Sequence, residues 1–200
     1  MARAEFPHSL VIGLAGGVGS GKSLVARLLQ DRGAEVLDAD ALGHRALEGP
    51  DIRRRLVRAW GPGILRGGRI DRGELARAAF KSRSSARHLN RIVHPAILRE
   101  IRRRLARRRA WTVLDAPLLF EAGADRLCDR VIFVDAPLTL RARRTKGRGW
   151  PAGELERRER FQWSVAYKKK KADYVINNTG SASRTNRQLE KILDGLRRTF

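Results

Sequence analysis

The chain has 200 residues, an apolar share of 42% and one cysteine, so it can build one domain with a substantial core and no intrachain disulfide. Its net charge of +22 is the most unusual bulk property. A field of that sign steers polyanions such as nucleotides, nucleic acids or anionic membrane surfaces, but basic residues fall on every predicted helix and solvated faces account for most of it. Residues 1–9 carry Arg3, Glu5 and Pro7 without an apolar stretch, which predicts no signal peptide. No apolar run approaches the roughly 20 residues that cross a bilayer. With the lone Cys128, these features predict a cytoplasmic protein with no membrane partner. They say nothing of oligomeric state.

Leu10 to Ala15 is a near-continuous apolar run and predicts a strand buried on both faces of a parallel sheet. A glycine-rich turn follows, then a helix from Lys22 to Arg32 with Val25, Leu28, Leu29 and Arg32 on one stripe and Gly33 at its end. Ala34 to Leu37 predicts a second strand, closed by Asp38-Ala39-Asp40. From 41 to 110 no strand is predicted, only helical stretches between turns at Gly49-Pro50, Gly61-Pro62-Gly63 and Gly67-Gly68. Pro95 falls in the first turn of a helix, with Ile97, Ile101 and Leu105 on its buried face.

Strands resume at Trp111–Asp115 and Arg130–Asp135. A basic helical segment fills 140–171, broken at Gly147, Gly149 and Pro151. Tyr174–Asn177 reads as the last strand, and Leu189, Ile192, Leu193, Leu196 and Phe200 dock a C-terminal helix on the sheet. The alternation predicts an α/β fold with a five-stranded parallel sheet flanked by helices. The expected organisation is a core of residues 1–40, 110–140 and 172–200, a helical acceptor-binding insertion over 41–109, and a lid over 141–171.

Gly16-Gly17-Val18-Gly19-Ser20-Gly21-Lys22-Ser23 satisfies G-x-x-x-x-G-K-[ST], between an apolar strand and an amphipathic helix. Four glycines let the backbone curl so that successive N–H groups face a phosphate, and the helix adds its positive end. Lys22 supplies a cation to the β- and γ-phosphates, and the Ser23 hydroxyl completes a Mg²⁺ shell. This P-loop predicts ATP–Mg²⁺ binding through Gly17, Val18, Gly19, Ser20, Gly21, Lys22, Ser23 and Leu24. No Asn-Lys-x-Asp guanine-reading motif is present, which argues against a GTPase. A core, an insertion after the second strand and an Arg-rich segment before the last strand fit a small kinase.

Asp40 lies just past the second strand, on the edge where open α/β sheets bind ligands. It can accept a proton from an acceptor hydroxyl or cap the following helix. Asp115, ending the third strand, either holds Mg²⁺ through water or closes a turn. Arg144 and Arg148 lie four apart, and a guanidinium forks onto two phosphoryl oxygens. Most other arginines of 141–160, and the Lys168-Lys169-Lys170-Lys171 run, read as solvated.

These motifs resemble the dephospho-CoA kinase family over nearly the whole chain. The resemblance rests on the P-loop, Asp38-Ala39-Asp40, Ile70-Asp71-Arg72, Leu89-Asn90-x-Ile92-Val93-His94-Pro95 and Asp115-Ala116-Pro117-Leu118-Leu119-Phe120-Glu121. It continues through Arg158-x-x-x-Gln162, Lys168 and Ala172 to Gly180. It implies transfer of the γ-phosphoryl group of ATP to the ribose 3′-hydroxyl of dephospho-CoA, giving CoA and ADP, the last step of coenzyme A synthesis. It makes Asp40 the general base and Lys22 and Arg148 the charge stabilisers, with Arg144 second to Arg148. Pro117 to Glu121 becomes an acceptor wall, through Pro117, Leu118 and Phe120, unless Leu118, Leu119 and Phe120 are core. His94 contacts the acceptor or caps the Pro95 helix, Arg72 faces acceptor phosphates, and Asn178 lies where this fold wraps adenine.

Ala15 and Leu24 stand where the family usually has threonine. Two other readings compete: a P-loop kinase with another acceptor, and a nucleic-acid-binding protein using the basic helices. No zinc-knuckle, helix-turn-helix or RNP-like pattern supports the last, so nucleic acid is not required, although the charge leaves it open.

Overall fold

The structure, a computed structural model, describes residues 6, 7, 9–108, 110–147 and 153–200. The chain forms two compact units, Met1–Asp38 with Leu105–Phe200, and Ala39–Arg104. In chain order the first unit opens with β1 (Val11–Gly16), α1 (Lys22–Gln30) and β2 (Glu35–Asp38). The second unit follows with α2 (Ala39–Glu48), α3 (Pro50–Trp60), β3 (Leu65–Arg66), β4 (Arg69–Ile70), α4 (Arg72–Ala79) and α5 (Arg83–Leu105). The first unit resumes with β5 (Thr112–Asp115), β6 (Arg130–Asp135), α6 (Leu138–Lys146), α7 (Glu154–Glu159), α8 (Val165–Lys171), β7 (Tyr174–Asn177) and α9 (Ala182–Arg197). The described residues of 141–171 therefore belong to the same unit as the sheet.

The sheet has five strands in the order β2-β5-β1-β6-β7, all parallel. Every residue of central β1 is buried, whereas edge strands β2 and β7 each bury one. That contrast follows from position, since only a central strand is covered by neighbours as well as helices. Ile12, Leu14, Val113, Ile132, Val134 and Ile176 pack with Val25 and Leu29 of α1 and Leu189, Leu193 and Leu196 of α9. Phe6 joins this core against the Trp111 ring, at 5.0 Å between centroids.

Gly33 closes α1 at φ 86°, a conformation costly for any side chain. Phe200 departs from expectation. It lies beyond α9, is 46% exposed, and takes the Arg130 guanidinium over its ring at 5.4 Å.

The second unit has its own core of Ile52, Leu56, Ile64, Leu75, Ala79, Ile92 and Val93. Contrary to the strand-free expectation, it contains a short antiparallel pair, Leu65 with Ile70 and Arg66 with Arg69. Gly67 and Gly68 turn it at φ 56° and 74°, the two positive values that a tight hairpin demands. Two-residue strands leave no alternation to read.

Pro95 corrects a second expectation. It sits inside α5, not in a first turn, so His94 does not stand at a helix start. A proline there costs about 3 kcal/mol, partly through the hydrogen bond lost by the residue four earlier. That residue is Arg91, and both it and Pro95 face solvent, where water can serve the freed carbonyl. Ile92, Val93 and Ile101 are buried on the same helix, and their burial carries it through.

Cys128 packs where a Cβ on Gly13 would meet its Sγ at 2.9 Å. Burial pushes the thiol up to about 12, and Asp125, Asp129 and Asp173 add to the effect. We expect a thiol-titrating disulfide reagent at pH 8 to find no reactive group in the native protein and one after denaturation. Native reaction at the rate of a free cysteine would contradict this environment.

Candidate active site

The loop 16–23 joins β1 to α1 at the C-terminal edge of the parallel sheet. Gly19 and Gly21 take φ values of 76° and 91°, so the curl is built at the two positions where only glycine is at ease. Gly21 caps α1, whose first turn carries no acidic residue. The positive end of the helix is thus left for an anion.

Ser20 is 1% exposed, with its Oγ tucked above Gly16. Its N–H donates to the Gly17 carbonyl at 3.0 Å. Its carbonyl accepts from Asn178 Nδ2 at 2.7 Å and Arg144 Nη1 at 3.0 Å. Val18 and Gly19 are half-buried, Lys22 and Leu24 likewise, and Ser23 is exposed.

Two carboxylates of the first unit meet on this edge by register. Asp38 ends β2 and is the register partner of Asp115, which ends β5. Asp115 is ion-paired to Lys22, each side chain about one-sixth exposed or less. Both are therefore held at the loop before any phosphate arrives. Asp40 follows Asp38 by two residues and is the second residue of α2.

Asn178 and Arg144 brace the loop. The Asn178 side chain is 2% exposed, its Nδ2 donating to the Ser20 carbonyl and its Oδ1 accepting from Thr185 Oγ1 at 2.8 Å. The side chain expected near adenine thus also supports the loop. Arg144 also donates to the Asn178 carbonyl at 2.9 Å. Burial, reinforced by neighbouring Arg143, lowers its pKa. Arg148 lies outside the described residues.

The Pro117–Glu121 turn divides. Leu119 and Phe120 are buried at 0% and 5% exposure and belong with the core, whereas Pro117 and Leu118 are half-exposed. The Lys168 side chain is 1% exposed, which corrects its reading as part of a wet face. Its Nζ donates to the Pro117 carbonyl at 3.1 Å and Gln162 Oε1 at 2.8 Å, and faces Glu121 Oε1 at 3.3 Å. Glu121 Oε1 also accepts the Trp163 N–H at 2.8 Å. The turn is thus tied to α8 by a buried charge pair. The ordered appearance of Glu121, Gln162 and Lys168 among the motifs was the signal that could have found it.

In the second unit, Asp71 caps α4 by accepting from Gly73 N and Glu74 N at 2.9 and 3.0 Å. The Glu74 N–H is the main cause of its lowered pKa, with Gly73, Arg66 and Arg77 assisting against desolvation. Arg72 is exposed in the first turn. His94 is half-buried within α5.

A phosphate loop with a charged lysine, on a parallel five-stranded sheet with helical insertions, defines a nucleotide-using P-loop kinase. The dephospho-CoA kinase family model matches residues 10–184. A dephospho-CoA kinase of Geobacillus kaustophilus is 41% identical over 92% of this chain and 96% of its own length. A solved protein from Thermus thermophilus superposes with a TM-score of 0.82 at 39% identity, over 95% of this chain and 99% of that one. The fold is shared with a dephospho-CoA kinase from Campylobacter jejuni, at a TM-score of 0.69 and 23% identity over 94% and 98% of the two chains. The chain belongs to the dephospho-CoA kinase family, which catalyses the final step of coenzyme A biosynthesis. It is a kinase that uses ATP and acts on a small molecule. Among the described residues no helix is long and apolar enough to cross a membrane.

Removing one partner of a buried charge pair strands the other, at about 3–5 kcal/mol. We expect Lys168→Met to lose that much in urea denaturation. A loss below about 1 kcal/mol would return Lys168 to the surface class.

Proposed function

We propose that this chain transfers the γ-phosphoryl group of ATP to the ribose 3′-hydroxyl of dephospho-CoA, releasing CoA and ADP. The observation that carries the reading is the preformed phosphate loop on a sheet edge that also presents Asp38 and Asp115, in a chain of this family.

The amides of Gly19 to Ser23 and the N-terminal end of α1 hold the β-phosphate. Lys22 leaves Asp115 for the β- and γ-phosphates and stabilises the charge that spreads over the transferring group. Arg148 clamps that group, and Arg144 supports the loop beside it. Asp40 accepts the 3′-hydroxyl proton and aims the oxygen for in-line attack. Arg72 and His94 contact the acceptor, with Pro117 and Leu118 as part of its wall.

Mg²⁺ fits the donors present, which are the exposed Ser23 hydroxyl and the Asp115 carboxylate, hard oxygen ligands of the kind this ion takes alongside water and phosphate. When bound, it neutralises charge on the triphosphate. The reaction belongs in the cytoplasm.

The decisive assay follows ADP release with ATP and Mg²⁺, comparing dephospho-CoA, nucleoside monophosphates and shikimate. Turnover with dephospho-CoA and CoA as product supports the reading; turnover only on another acceptor overturns it. Lys22→Ala is expected to lower turnover by a hundredfold or more, about the scale of losing one preorganised charge stabiliser. Asp40→Asn is expected to lower kcat by about 10²–10⁴ with little change in ATP affinity. Near-normal turnover of Asp40→Asn would reassign that residue to the helix terminus.

A further inference from the structure

The first half of the phosphate loop is gripped from outside by two charged side chains that the proposed chemistry does not use. Val18 lies between Gly17 and Gly19, and both of its backbone polar groups are taken. Its N–H donates to Glu159 Oε1 at 3.1 Å, and its carbonyl accepts from Arg141 Nη1 at 3.1 Å. Glu159 and Arg141 are ion-paired to each other. Arg141 Nε also donates to the Ala136 carbonyl at 3.1 Å, which ties the pair to the end of β6.

Arg141 comes from α6 with its side chain 6% exposed, and Glu159 ends α7 at 22%. The fit leaves no slack. A Cβ on Gly17 would lie 3.0 Å from Arg141 Nη1 and 3.1 Å from Glu159 Oε1. A Cβ on Gly19 would lie 2.9 Å from the Arg141 carbonyl oxygen.

A loop this rich in glycine is expensive to order, at roughly 1–2 kcal/mol per residue of backbone entropy. Its amides also converge on one point, which is unfavourable until an anion arrives. Bonds that fix the loop beforehand move that cost from binding to folding. A lone carboxylate could do so only by placing a negative charge beside the incoming triphosphate. Arg141 removes that objection, because the pair bonds both sides of the Val18 residue while adding no net charge.

We infer that Arg141 and Glu159 are positioning residues for nucleotide binding, which preset Gly17–Gly19 so that the phosphate-facing amides need no rearrangement. The role is geometric. It requires an acceptor at the reach of a glutamate, not a negative charge as such. It rests on the loop being the nucleotide site, and it does not depend on which acceptor the enzyme phosphorylates.

The test is calorimetric affinity for ATP and ADP, beside KM for dephospho-CoA, in Glu159 variants. Glu159→Ala removes the acceptor, Glu159→Asp keeps the charge but shortens the reach, and Glu159→Gln keeps the reach without the charge. We expect Ala and Asp each to weaken ATP and ADP about tenfold and by the same factor, the scale of one charge-assisted hydrogen bond. KM for dephospho-CoA stays as it was, and Gln remains within about threefold of the parent, since a neutral acceptor is weaker than a charged one.

Unchanged or tighter nucleotide binding by Glu159→Asp overturns the inference, as does a Glu159→Gln variant no better than Glu159→Asp. If Glu159→Ala fails to fold, the comparison of Asp with Gln decides in the same way. A parent chain that binds ATP but ignores dephospho-CoA would sink the proposed acceptor and leave this inference standing.

Discussion

The structure depends on a stretch of backbone that must offer bare N–H groups to a phosphate while remaining fixed. Such a stretch cannot be a strand or a helix, whose amides are already bonded, and it cannot be an ordinary loop, whose amides wander. Residues 16–23 meet the requirement by being held from outside at Val18 and Ser20 as well as at both ends. β1 anchors one end in the buried centre of the sheet, and α1 anchors the other. Asn178 and Arg144 share the Ser20 carbonyl, while Arg141 and Glu159 divide the two sides of Val18.

That arrangement explains why so much charge is drawn into the interior of a small protein. Arg141, Lys168, Glu121 and Glu159 are all largely withdrawn from water, a placement that is costly unless each charge meets an opposite one and several hydrogen bonds. Each meets an opposite charge, in two clusters, one on the phosphate loop and one beneath the Pro117–Glu121 turn, although Glu121 Oε2 is buried there with no hydrogen-bond partner among the described residues. The remaining excess of basic groups stays outside. The helices carry runs such as Arg53-Arg54-Arg55, Arg102-Arg103 and Lys169-Lys170-Lys171, whose members are all exposed. Local partners hold some of them: Glu100 with Arg103 and Arg104, and Glu154 with Arg157 and Arg158, each carboxyl drawn down to about 2. Pairs of this kind, wet and three or four residues apart, add little to stability.

Much of the sheet was legible because its signals are local. β6 and β7 begin and end where the sequence predicts, each built around an apolar run, and the phosphate loop announces itself by eight consecutive residues between a strand and a helix. The motifs also carried the family, and the family carried the reaction. Less was legible where an element is too short to have a period, as in the hairpin turned by Gly67 and Gly68. Where a local rule met a stronger distant demand, it misled: Pro95 argued for a helix start, but burial of Ile92, Val93 and Ile101 on one helix prevailed.

The sequence by itself determined the loop chemistry, the parallel α/β plan and the family, since each is written in residues near one another along the chain. Only the tertiary structure decided which charges are working parts. Lys168 and Lys169 look alike in sequence, yet one is buried on Glu121 and the other lies at the surface beside Asp135. Arg141 and Arg143 are equally alike, and only the first reaches Val18. The difference lies in partners 51 residues away for Lys168 and 123 away for Arg141. A charge acquires its role from what desolvates and pairs it, and those neighbours are brought together only when the chain folds.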